Sequence, residues 1–291
     1  DALPISVTPG ARRPHTEYAM YKDASTRKPI TVTTLAKMKR DGEKFAVLTA
    51  YDASFAALLE AAGVEVILVG DSLGMVIQGQ RTTVPVTLED IIYHTRLVMR
   101  GCQTLLVMAD MPFASYASVE QAVYSAARLM QEGGAQMVKL EGGGWLAETV
   151  RQLSRNGIPV CAHLGLLPQS IHKLGGYKVQ GREEAAAQQI INEALVLQDA
   201  GADMALVECI PAELAKRLTE ALAIPLIGIG AGPHCDAQVL VSYDMLGITQ
   251  GHRPRFSKNF LTGRDSLQAA VETYVRAVKS SEFPGPEHCI A

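Results

Sequence analysis

Apolar residues along this chain come in short continuous blocks that stop abruptly at glycine, a carboxylate or a histidine. The clearest block is Val64-Glu-Val-Ile-Leu-Val-Gly-Asp-Ser72. A β-branched run without polar alternation reads as a strand covered on both faces. The pattern recurs and predicts strands over Lys44–Asp52, Val64–Ser72, Thr104–Pro112, Met137–Gly142, Val160–Gly165, Met204–Ile210, Pro225–Gly230 and Asp244–Gly251. Helical spacing fills the gaps, most clearly at Leu88–Arg100, Val119–Gln131, Trp145–Arg155, Glu183–Asp199 and Ala212–Leu222. In the fourth of these, Ala187, Ile190, Ile191, Ala194 and Leu197 recur on one face. Gly133-Gly134 and Gly201 stand where left-handed caps end helices. A short helix over Asp236–Val241 is expected between the last two strands, and a final helix over Asp265–Lys279.

Strands and helices in strict alternation argue for a parallel sheet, and eight units in series for a closed (β/α)8 TIM barrel. An open, doubly wound sheet is the alternative. Thr33–Lys39 predicts a short capped helix, an N-terminal plug for one end of the barrel. Residues 31–291 then form one domain. Residues 1–30 are polar, contain proline and lack periodicity, which suggests a disordered lead-in or an artificial extension.

Composition narrows the class. With 291 residues, 48% hydrophobic and 20% charged, the chain can bury one large core. A net charge of -3 gives no footprint for nucleic acid, and neither terminus carries an apolar stretch long enough for a membrane. The five cysteines are scattered, odd in number and free of CxxC spacing. That pattern argues against a disulfide framework or zinc site and for a reducing cytoplasm. Cys161 and Cys209 lie in apolar runs and read as small core residues.

The chemistry lies where the strands stop. The first ends on Tyr51-Asp52, the second on Asp71-Ser72, the third at Asp110, the fourth on Lys139-Leu-Glu141, the fifth at His163 and the sixth at Glu208. A barrel gathers these ends on one rim. Each has a plain structural reading beside the functional one. Asp52 could cap the next helix, Lys139 and Glu141 could be an ordinary ion pair, and His163 a satisfied core histidine. Asp71 and Asp110 close strongly apolar strands and suit metal ligation better than capping. Oxygen ligands without a Cys/His cluster favour Mg²⁺. Glu208, after Ala-Leu-Val, would have a raised pKa suited to proton abstraction. Gly228–Gly232 reads as a tight turn rather than a phosphate nest, and Gly175–Gly181 as a lid or an inert loop.

Several motifs together resemble the ketopantoate hydroxymethyltransferase family. They are Leu68-Val-Gly-Asp-Ser-Leu-Gly-Met75, Met137-Val-Lys-Leu-Glu-Gly-Gly143, Cys161-Ala-His-Leu-Gly-Leu166 and Gly175-Gly-Tyr-Lys-Val-Gln-Gly-Arg182. Leu206-Val-Glu-Cys209, Gly228–Gly232 and Phe283-Pro-Gly-Pro-Glu-His288 extend the resemblance from about Ile30 to His288. Ala162, Ala237 and Gln250 depart from it, each standing where the family pattern has glycine.

The resemblance implies a Mg²⁺-dependent cytoplasmic enzyme of pantothenate synthesis. It would move a hydroxymethyl group from 5,10-methylenetetrahydrofolate to 3-methyl-2-oxobutanoate, and would assemble as a homodecamer of ring-like pentamers. By the same likeness Asp71 and Asp110 would bind the metal and Glu141 would act through a bound water. Ser72, Lys139 and His163 would hold the 2-oxo acid with them, and Glu208 would be the base. A lyase or mutase of the phosphoenolpyruvate-type barrels is the rival enzyme. Such enzymes carry a lid cysteine, and Gly175–Arg182 has none. A non-catalytic scaffold barrel would not need the full carboxylate set.

Overall fold

The computed structural model describes residues 27–251 and 253–290, so the expectation for residues 1–30 falls almost wholly outside them. Eight parallel strands close into a barrel in sequence order. They are β1 (Phe45–Thr49), β2 (Val66–Val69), β3 (Leu106–Asp110), β4 (Met137–Glu141), β5 (Val160–Gly165), β6 (Met204–Glu208), β7 (Leu226–Ile229) and β8 (Ala237–Leu240). The helices in chain order are α1 (Val32–Asp41), α2 (Ala53–Ala61), α3 (Leu73–Val76), α4 (Leu88–Gly101), α5 (Val119–Gln131) and α6 (Ala147–Arg155). After them come α7 (Ile171–Leu174), α8 (Glu184–Asp199), α9 (Ala212–Ala221), α10 (Ser242–Met245) and α11 (Leu267–Lys279). This is the (β/α)8 barrel expected from the pattern, and among the described residues no helix is long and apolar enough to cross a membrane.

Side-chain parity divides the barrel interior into two zones. Inward positions at the lower end are apolar: Phe45, Val47, Val66, Leu68, Leu106, Met108, Met137, Cys161, Met204 and Leu206 pack into one buried cluster. The same parity continued upward reaches Asp110, Lys139, Glu141, His163 and Glu208. Register aligns them, with Asp110 beside Lys139 and Glu141 beside His163. Paired residues of neighbouring parallel strands face the same side, so the alternation inherent in a strand builds an apolar floor beneath a charged roof. The second and larger core lies between the strands and the helical ring.

Helix α1 closes the floor. Thr31 caps it: its hydroxyl accepts from the Thr34 N–H at 3.2 Å, while Thr34 Oγ1 accepts from the Thr31 N–H at 3.3 Å. Gly42 ends it at φ 71°. Leu35 is fully buried in the interior cluster, with Ile30 beside it and Val32 and Met38 against it. Lys39 pairs with Asp236 at 2.7 Å, fixing the plug to the start of β8. The predicted N-terminal cap is present at the end opposite the charged residues.

The last strand corrects the sequence reading. The sequence predicts a helix over Asp236–Val241 and a strand over Asp244–Gly251, and the structure has neither. Ala237–Leu240 is β8, paired with β1 on one side and β7 on the other. Ser242–Met245 is a helical turn instead. Four residues carry too little periodicity to separate strand from helix, and closure of the ring decides the matter. Tyr274 of α11 reinforces that seam. Its buried hydroxyl lies 3.0 Å from the Val47 carbonyl of β1 and 2.9 Å from the Gln238 carbonyl of β8.

Asp52 resolves to its structural role. It is the N-cap of α2, accepting from the Phe55 N–H at 2.9 Å, and stands apart from the charged roof. Ala162 and Ala237 lie buried in strands, where a methyl group is accommodated.

Candidate active site

The predicted site residues converge on the C-terminal rim. Asp71 follows β2, and its backbone N–H donates to Asp110 Oδ2 at 2.8 Å, which brings the Asp110 carboxylate against the Asp71 backbone and close enough for the two acids to repel. Lys139 Nζ stands 2.9 Å from Asp110 Oδ1 and 3.9 Å from Glu141 Oε1. It also lies 3.2 Å from His163 Nδ1. His163 Nε2 faces Glu208 Oε2 at 3.4 Å. The Ser72 hydroxyl bonds to that of Tyr51 at 2.8 Å. Asp110, Lys139, Glu141 and His163 have side chains only 2–4% exposed, whereas Glu208 is 15% exposed and faces the opening.

Two glycines shape this rim. Gly70 continues the inward parity of β2, and a Cβ there would sit 2.9 Å from Ser72 Oγ and 3.4 Å from Asp110 Oδ2. Its missing side chain is the room beside Asp110. Gly165 ends β5 at φ 85°, and a Cβ there would collide with the Glu208 carbonyl. That close approach lets the chain turn back over the barrel mouth.

Burial governs the electrostatics. It pushes the Asp71 carboxyl well above its ordinary range, with Asp110 and Glu141 pushing in the same direction. Burial also raises Glu141, against the opposing pull of Lys139. Burial alone would lower the Lys139 ammonium, but Asp110, Glu141 and Asp71 outweigh it and hold the group charged. His163 is lowered by burial and by the neighbouring ammonium, and is therefore neutral. An ammonium has only donors to offer, so Nδ1 of His163 accepts and the ring proton sits on Nε2. Glu208 is raised by burial, with His163 opposing. These are the conditions under which a carboxylate serves as a proton acceptor near neutrality.

The set carries more negative charge than its own cation offsets. Asp110 Oδ1 is paired with the Lys139 ammonium at 2.9 Å, whereas Glu141 Oε1 accepts no hydrogen bond. His163 Nε2 is likewise without a hydrogen-bond partner. A buried, unsatisfied oxygen beside crowded carboxylates fits a hard divalent cation. Among the described residues no three of His, Cys, Asp and Glu form a complete cage on their own. An ion that retains waters and uses one or two carboxylates, as Mg²⁺ does, fits such a donor set.

Two residues of the site escaped the sequence reading. Gln169, in the turn Pro168–Ser170 after β5, is buried and donates through Nε2 to Asp71 Oδ2 at 2.8 Å. Tyr116, also buried, bonds to Gln169 Oε1 at 2.6 Å. Neither ends a strand, so no periodic signal marks them. The glycine-rich segment Gly175–Gly181 does lie at the mouth. The Tyr177 hydroxyl reaches Met75 Sδ at 3.7 Å, and the Gln180 N–H donates to the Cys209 carbonyl at 3.0 Å. Gly228 lies in β7 and the chain bends from Gly230, which is covered by Phe256, so no open nest is left. A cavity of about 350 Å³ lined by Met38, Gly42, Glu43, Lys44 and Lys279 lies at the plugged end, away from the carboxylates.

Residues 29–286 match the family model described as ketopantoate hydroxymethyltransferase. The 3-methyl-2-oxobutanoate hydroxymethyltransferase of Nitrosococcus oceani is 63% identical over 255 residues, covering 88% of this chain and 97% of that protein. Its counterpart from Ralstonia nicotianae is 60% identical over 268 residues, covering 92% and 97%. Among solved structures, a 2,3-dimethylmalate lyase of the PEP mutase/isocitrate lyase superfamily shares the fold with TM-score 0.55 and 20% identity, over 75% of this chain and 82% of that one. A phosphonopyruvate hydrolase matches with TM-score 0.58 and 13% identity, over 86% and 98%. With its rim of acids on a closed barrel and relatives matched almost end to end, the chain belongs to the ketopantoate hydroxymethyltransferase family of transferases.

Proposed function

We propose that the protein transfers a hydroxymethyl group from 5,10-methylenetetrahydrofolate to 3-methyl-2-oxobutanoate, giving 2-dehydropantoate for pantothenate and coenzyme A synthesis in the cytoplasm. The observation that carries this reading is the buried rim cluster of Asp71, Asp110, Lys139, Glu141 and His163, with Glu141 Oε1 unsatisfied and Glu208 partly exposed beside it. Asp71 and Asp110 would hold Mg²⁺ directly, and Glu141 through a water. When bound, the cation supplies Lewis-acid chemistry that polarises the 2-oxo acid and acidifies its C3–H.

The chain's own groups do the rest. Lys139 and the Nε2–H of His163 donate to the substrate oxygens on which charge develops. Ser72, held by Tyr51, orients the carboxylate end. Glu208, raised by burial, takes the C3 proton; C3 then bonds to the one-carbon unit, whose bonds to the folate nitrogens break, while a water supplies the hydroxyl oxygen and tetrahydrofolate leaves. Tyr177 and its glycine neighbours border the mouth and limit water entry. The ring-like homodecamer belongs to the same reading and is checked by light scattering.

The deciding experiment follows the C3 proton of 3-methyl-2-oxobutanoate by NMR in deuterated water, with and without Mg²⁺. Mg²⁺-dependent exchange, followed by carbon transfer once the folate donor is added, is the expected result. Exchange no faster than in buffer refutes the scheme.

A further inference from the structure

We propose that Gln169 is a positioning residue that sets the geometry, and hence the affinity, of the cation site by locking Asp71. The inference rests on the Mg²⁺ site proposed above and deepens it. One side chain ties together the ends of three strands. Its Nε2 donates to Asp71 Oδ2 at 2.8 Å and to the Met111 carbonyl at 3.0 Å. Both partners can only accept, so both amide hydrogens are committed. Its Oε1 accepts from the Tyr116 hydroxyl at 2.6 Å, and that hydroxyl in turn receives the Glu141 N–H at 3.3 Å. The partners therefore fix the amide orientation without ambiguity.

The backbone of Gln169 contributes separately. Its N–H donates to Glu141 Oε2 at 3.0 Å. Substitution of the side chain leaves that bond in place and releases Asp71, together with the Met111 carbonyl and the Tyr116 hydroxyl. With Oδ2 held by the amide, Oδ1 of Asp71 is the oxygen left to a cation, in a fixed direction. Mg²⁺ demands near-ideal octahedral geometry, whereas Ca²⁺ accepts flexible and irregular shells. A carboxylate freed to rotate therefore penalises Mg²⁺ more than Ca²⁺. Partners that orient metal ligands in this way are worth about 10–100-fold in affinity.

The test titrates Mg²⁺ and Ca²⁺ calorimetrically into wild type, Gln169→Leu, Tyr116→Phe and Asp110→Ala, each checked for native melting. Gln169→Leu is expected to bind Mg²⁺ about 10–100-fold more weakly, with a smaller loss for Ca²⁺. C3–H exchange should approach the wild-type rate at saturating Mg²⁺, since Glu208 is untouched. Tyr116→Phe should shift Mg²⁺ affinity the same way by a smaller factor, because the amide loses its anchor. Unchanged Mg²⁺ affinity in folded Gln169→Leu overturns the proposal. So does an equal loss for both ions with a depressed rate at saturation, which would mark general collapse of the rim. If Gln169→Leu does not fold, Tyr116→Phe decides, and wild-type affinity there overturns the proposal. Should Asp110→Ala bind Mg²⁺ like wild type, the metal reading itself falls. Should Asp110→Ala lose Mg²⁺ while Gln169→Leu keeps it, only the role of Gln169 falls.

Discussion

Replacing Lys139 with methionine removes the ammonium that faces Asp110 and Glu141 while keeping a side chain of similar length. The Asp110 contact is 2.9 Å long and both side chains are almost fully buried. At that distance, with an effective dielectric constant of about 20, the Coulomb attraction is roughly 6 kcal/mol. Removing the cation also recovers the cost of dehydrating it. Breaking one side of a buried pair leaves a net loss of about 3–5 kcal/mol. For a chain of this size, at about 2 °C per kcal/mol, the melting midpoint should fall by roughly 6–10 °C. The carboxylates then lack an internal counter-charge, so Mg²⁺ should recover more stability in Lys139→Met than in wild type. A cation at about 100 times its Kd contributes about 2.7 kcal/mol to any state that binds it. Circular dichroism melts at neutral pH, with and without Mg²⁺, measure both effects. A midpoint within about 2 °C of wild type, with an equal Mg²⁺ increment, would refute the view that Lys139 neutralises this cluster.

Glu208→Gln should slow C3–H exchange by about 10²–10⁴-fold while calorimetry shows Mg²⁺ binding retained; unchanged exchange removes Glu208 from its role. The exchange rate of wild type should rise with pH as Glu208 loses its proton. Because burial raises that carboxyl, the midpoint should lie above the usual glutamate value of about 4.3, and a pH–rate profile with an ordinary midpoint contradicts the assignment. Leu35→Ala opens a cavity beneath the barrel and should cost about 2–5 kcal/mol in denaturant titrations. Its turnover at a permissive temperature should match wild type, since α1 lies at the end opposite the acids.

Repetition made the barrel legible from sequence. Seven apolar blocks that the structure keeps as strands, the first six closing on polar residues, leave few other architectures, and the spacing of Ala187, Ile190, Ile191, Ala194 and Leu197 places α8 almost to the residue. The acids were legible for the same reason, since a residue at the end of a parallel strand has few places to go. Local pattern failed where the ring rather than the segment decides. Ala237–Leu240 is a strand because β1 and β7 each need a neighbour. Asp52 looked like Asp71 in sequence, and only the cap bond to Phe55 separates them. Gln169 and Tyr116 gave no signal because a polar residue in a loop is unremarkable until the chain folds it over Asp71.

The plug formed by α1 has a kinetic consequence. With Leu35 and Ile30 filling the lower end, the described residues leave the acids to be approached from the upper rim. Molecules using it must enter in sequence, and whichever lies deepest must arrive first and depart last. A compact oxo acid seated on Asp71 and Asp110 would be followed by a bulkier carbon donor lodged above it. Ordered binding would then follow from a few apolar side chains far from any reacting atom, and initial-rate kinetics should show it.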